Sequence, residues 1–131
     1  MTEKTVMRFL AYLLLAFTLS GCDVAGQVKE LRQSLKTVEI EANYQLVYKR
    51  VSETINVCGM SGWNINSVLL NELDEASITV SNMTDALMIV EIKKLSQTRT
   101  RMSYTVSGWG GRQEWETAIV EAVNHEDIKC P

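Results

Sequence analysis

Between Asn66 and Val106 the apolar residues recur at every second position in short runs, separated by polar turns. A pattern of that period dictates β-strands. Ala76, Ile78 and Val80 alternate with Ser77, Thr79 and Ser81, a half-buried strand. Met102, Tyr104 and Val106 alternate with Arg99, Arg101, Ser103 and Thr105. Asn66 to Leu73 is a further strand, less sharply periodic because Val68, Leu69 and Leu70 are consecutive. Leu87 to Ile92 is mostly apolar and reads as a central strand. Asp74-Glu75, Asn82–Ala86 and Lys93–Thr98 supply the turns. Connections this short join antiparallel neighbours, so the four runs form a meander.

One face of such a sheet needs a cover, and two amphipathic helices are present to provide it. From Tyr44 to Cys58 the apolar positions are Tyr44, Val47, Tyr48, Val51, Ile55 and Cys58, one stripe of a helix. Asn43 caps its start, and Gly59 stands where helices stop. Gln113 to Asn124 is a second helix, with Trp115, Ala118, Ile119, Ala122 and Val123 on one side. Glu114 and Glu116 near its start suit the positive helix end. Thr37 to Glu41 alternates and adds one short strand before the first helix. The order β-α-β-β-β-β-α predicts a two-layer α+β domain: an antiparallel sheet of four to five strands against two helices. That order resembles the helix-grip arrangement; it implies a fold and no function.

The N-terminus is an address. Met1 to Arg8 carries Lys4 and Arg8 against Glu3, and Phe9 to Leu19 is uncharged. That run is shorter than the about 20 residues a membrane span needs. It matches the apolar core of a secretory signal, about 7–15 residues long. Leu19-Ser20-Gly21-Cys22 follows and resembles the lipobox of bacterial lipoproteins. The resemblance implies cleavage before Cys22 and a lipid on its thiol. Residues 1–21 are then a signal peptide, 22–36 the lipidated N-terminus and tether, and 37–131 a single domain. Within 23–36, Val24, Val28, Leu31 and Leu35 fall at helical spacing, so that stretch is either a short helix or a tether. In enterobacterial lipoproteins an aspartate after the lipidated cysteine resembles the signal for inner-membrane retention. Asp23 therefore implies the inner membrane rather than the outer.

Three cysteines are present. With Cys22 lipidated, Cys58 and Cys130 remain as a pair in an oxidising compartment, where two leftover thiols join. The bridge closes a loop of about 70 residues, worth roughly 4 kcal/mol through the lost freedom of the unfolded chain. Their spacing suits neither zinc nor a redox CxxC motif, and only His125 is available as a nitrogen ligand, so no metal is expected.

Formal charge is -3 over 131 residues, and removing Lys4, Arg8 and Glu3 with the leader leaves about -4. A mildly acidic domain repels phosphate backbones, which argues against a nucleic-acid partner. No catalytic constellation is visible. His125 lies in a polar tail beside Glu126 and Asp127, and neither Ser61 nor Ser107 sits in a GxSxG elbow. The carboxylate pairs Asp74-Glu75 and Glu126-Asp127 are chain neighbours that point apart. Gly110 and Gly111 before a helix can hold an anion, but a strand-to-helix turn explains them more simply. Arg99 and Arg101 read as the solvated side of a strand. Ser-Gly-Trp occurs twice, at 61–63 and 107–109. Chance recurrence accounts for that repeat, yet Trp63 and Trp109 mark the loops where a contact surface is best sought.

The expectation is a non-enzymatic envelope lipoprotein without cofactor. It is held at the periplasmic face of the cell membrane, with an envelope protein as candidate partner. The alternative is a binder of a small apolar ligand, in a pocket between sheet and helices lined by Tyr48, Met88, Met102 and Trp115.

Overall fold

The computed structural model describes residues 23–108 and 111–131. The leader, Cys22 and Trp109 lie outside the described residues. The elements run α1 (Asp23–Gln33), β1 (Lys36–Ile40), α2 (Tyr44–Cys58), β2 (Asn64–Leu70), β3 (Glu75–Ser81), β4 (Ala86–Ser96), β5 (Arg99–Val106) and α3 (Arg112–Glu121). Short 3-10 turns occupy Asn71–Leu73 and Ala122–Asn124. All five strands belong to one antiparallel sheet in the order β1-β5-β4-β3-β2. The domain is α+β, with the sheet and the α2–α3 pair as its two main layers.

The helix α2 begins and ends where the sequence dictates. The Asn43 side chain accepts a hydrogen bond from the Gln45 amide at 2.9 Å, which satisfies one of the amides a helix start leaves open. Gly59 closes the helix by donating its amide to Ile55. A Cβ there would stand 2.5 Å from the Ile55 carbonyl oxygen and 2.9 Å from the Trp63 ring. Asn43→Ala will cost about 1 kcal/mol by loss of the cap, and Asn43→Asp will recover only part of it, because a carboxylate restores the cap but cannot donate to the Gln97 carbonyl as the Asn43 amide does at 3.3 Å. Urea denaturation of the two variants checks this, and equal midpoints for wild type and alanine would contradict it.

The core follows from register. Ala76 pairs with Ile92, Ile78 with Val90 and Val80 with Met88; Ile92 pairs in turn with Met102, and Met88 with Val106. Those side chains form one apolar face, on which α2 lays Tyr44, Val47, Val51 and Ile55. Trp115 and Ile119 of α3 and Val123 just beyond it complete the cluster. Tyr44 is buried and donates its hydroxyl proton to Asn71 Oδ1 at 3.1 Å.

Some boundaries differ from expectation, for nonlocal reasons. β2 starts two residues early and stops at Leu70, because Asn71–Leu73 coil into a turn that ends on left-handed Asp74. β4 runs on through Lys93 and Lys94, where a turn is predicted. Lys93 lies near Glu75 at 4.0 Å and Lys94 near Asp74 at 3.8 Å, so their charges are answered from the neighbouring strand and turn. The helical turns of α3 end at Glu121, and Ala122–Asn124 tighten into 3-10 geometry.

The other face of the sheet is not bare. Residues 23–33 are the helix of the two forms left open, and α1 lies against β4 and β5. Ile89 and its register partner Thr105 point to that side and are 1% and 2% exposed. Ser34 Oγ meets Thr105 Oγ1 at 3.3 Å, Arg32 faces Glu91 at 3.5 Å, and Gln27 is held at both ends of its amide. It donates to the Thr84 carbonyl at 3.2 Å and accepts from the Ala86 amide at 2.8 Å.

Candidate functional site

The tail after α3 does not trail into solvent. It turns back along α2, and the sulfurs of Cys58 and Cys130 lie at disulfide distance, with Cα atoms 5.3 Å apart. The strap 125–131 thereby walls a cleft of about 540 Å³ whose other sides are α2 and α3. Thr54 is buried at its edge on α2, and Arg50 donates to the Val123 carbonyl, fixing α2 to the end of α3. Five carboxylates line the cleft: Glu53 from α2, Glu114 and Glu121 from α3, Glu126 and Asp127 from the strap. Arg50 and Lys129 are the cations among them, so carboxylates outnumber these two cations in the lining.

All five carboxylates are solvent-exposed. They come from three separate segments, and among the described residues no group of three or more His, Cys, Asp or Glu converges on a metal position. His125 belongs to this cleft rather than to a free tail, and it is half-buried. An exposed acidic cleft offers charge complementarity to a cationic segment.

One carboxylate beside the cleft is held differently. Glu116 accepts from Lys36 Nζ at 2.7 Å and from Arg112 Nε at 3.1 Å. The Lys36 bond leads, against desolvation and with help from Arg112, and holds the Glu116 carboxyl below its ordinary range. The pair clamps the start of β1 to α3.

The residues marked in the sequence are dispersed. Trp63 is half-buried, its ring 5.1 Å from that of Trp115 and tilted by 50°, so it packs against the helix with part of its surface still open. Trp109 lies outside the described residues. Gly111 adopts φ 97° at the start of α3, a left-handed turn that glycine makes without strain. Arg99 and Arg101 both reach Glu39 on β1, Arg101 at 3.9 Å. Met88 and Met102 have no exposure and belong, with Trp115, to the packed core. A second depression, about 430 Å³, lies on the sheet face past the end of α1. Of its charged residues, Arg32 faces Glu91, Lys93 faces Glu75 and Arg101 faces Glu39.

The acidic cleft was partly legible in sequence. Glu114 and Glu121 recur at helical spacing on α3, and Glu53 lies on the polar side of α2. What brings them together is the return of the strap, which only the Cys58–Cys130 pairing announces. Among the described residues no helix is long and apolar enough to cross a membrane. The chain matches no family model and no curated protein.

Proposed function

We propose that this chain is the precursor of a lipid-anchored envelope protein, cut before Cys22, whose domain is a non-enzymatic interaction module at the periplasmic face of the membrane. The observation that carries the reading is Leu19-Ser20-Gly21-Cys22 directly after an uncharged run. The Cys58–Cys130 pair supports it, since bridges of that kind persist in oxidising compartments. Two or more acyl chains on Cys22 hold a protein durably, at about 0.8 kcal/mol per buried CH₂. Asp23 favours residence in the inner membrane.

The recognition surface in this reading is the cleft between α2, α3 and the strap, and its partner is a basic segment of another envelope protein. Exposed carboxylates on three walls steer such a segment in and reject polyanions. The apolar-ligand alternative finds no support in the two clefts described above: neither is lined by Tyr48, Met88, Met102 or Trp115.

Cys22→Ser will abolish labelling by a fatty-acid probe and move the protein out of the membrane fraction. Undiminished labelling of the variant would refute lipidation at this residue.

A further inference from the structure

The two ends of the sheet differ in character. β2 begins opposite the end of β3, with Asn64 paired to Ser81, and the Ser107 amide donates to Leu87 at 2.8 Å just past the start of β4. The connections 59–63 and 82–85 and the start of the one after β5, 107–108, therefore share one end. Between them they contain a single charged residue, Asp85. The connections at the opposite end, 41–43, 71–74 and 97–98, contain Glu41, Glu72 and Asp74.

Charged groups at this end sit on the elements around those connections, Arg112 and Glu114 on α3 and Lys129 beside the bridge to Cys58, while the connections themselves expose apolar side chains. Met83 is 96% exposed and Met60 is 60% exposed. A lone methionine at a turn tip needs no explanation, but the turn carrying Met83 is rigid. Asn82 Oδ1 accepts from the amides of Thr84 at 2.9 Å and Asp85 at 2.6 Å, and the Thr84 hydroxyl donates to the Asp85 carboxylate at 3.0 Å. The side chain is thus projected without a further loss of backbone freedom.

The chain leaves the domain at this same end. Gln27 is bonded to Thr84 and Ala86, the residues flanking Asp85. From Gln27 back to Asp23 is one helical turn, about 6 Å of rise, and Cys22 is the next residue. No flexible linker intervenes, so a lipid on Cys22 brings the bilayer to within a few ångströms of the 82–85 turn.

We propose that this end of the domain rests on the bilayer, with Met83 and Met60 entering the boundary between head groups and acyl chains. The inference depends on lipidation of Cys22. Apolar groups at such a boundary sink about 5–10 Å, a depth within reach of a side chain on a turn tip. The Glu41, Glu72 and Asp74 connections then face away from anionic head groups, which would repel them.

The test uses the full lipidated protein in vesicles of phosphatidylethanolamine and phosphatidylglycerol. The photoreactive residue p-benzoylphenylalanine replaces Met83, Met60, Glu72 or Glu41, one at a time. Fatty-acid labelling is measured on the same samples. Phospholipid adducts are expected on the order of tenfold more often from positions 83 and 60 than from 72 and 41. Acylated protein with equal or reversed yields, or with protein adducts in place of lipid at position 83, overturns the orientation and leaves the anchor standing. Protein without acylation overturns both.

Discussion

Replacing Cys58 and Cys130 together by alanine will lower the stability of the domain by about 4 kcal/mol, the loop-closure value for partners 72 residues apart. For a domain of this size that is a drop in Tm on the order of 20 °C. Dithiothreitol will bring the wild type to the same level and leave the variant where it is. The reagent controls for packing, because it breaks the bridge without removing the side chains. A double variant as stable as wild type, together with a wild type indifferent to reductant, would mean that the two sulfurs are not joined. Losing the bridge also frees the strap 125–131, so the cleft loses one wall while α2 and α3 keep theirs.

Trp115→Ala will cost about 3–5 kcal/mol, the range for a large aromatic removed from a core that cannot collapse around the gap. Trp115 is 5% exposed and stands where α3, the sheet and the 59–63 loop meet. Its removal takes away the ring against which Trp63 is packed. The emission of Trp63 will therefore shift to the red in the folded variant, ahead of any unfolding. Guanidinium denaturation followed by fluorescence reads both effects at once. A loss below about 1 kcal/mol with unshifted emission would show that the ring is not a core element.

Where the signal was local, the sequence was sufficient. α2 carries its own start, stripe and stop in Asn43, Val47-Val51-Ile55 and Gly59, so its limits needed no tertiary information. β3 alternates cleanly because one face is apolar and the other polar. β4 shows the opposite case. Lys93 and Lys94 look like a turn until Glu75 and Asp74 answer them from a strand and turn nearly twenty residues away in sequence. The docking of α1 was hidden for a related reason. Val28, Leu31 and Leu35 are only half-buried, which weakens the helical stripe. Yet the unbroken apolar run Ala86-Leu87-Met88-Ile89-Val90 was a clue, since a strand apolar on both sides needs a cover on both sides. The cleft lay beyond local reading because its three walls are far apart in the chain. Cysteine pairing was the one long-range constraint that could be read from composition.

The junction of Cys58 with Cys130 also sets how the protein would transmit a pull. Tension applied between a membrane-held N-terminus and the C-terminal strap passes through α1, β1 and α2, then crosses between the sulfurs. β2 to β5 and α3 lie inside a closed covalent ring and bear no load in series. The stretch from Asp23 to Cys58 can pay out to about 120 Å at most. A partner gripping the strap would load α1, β1 and α2 first, and the elements inside the ring would feel the pull only through the packing that α2 gives them.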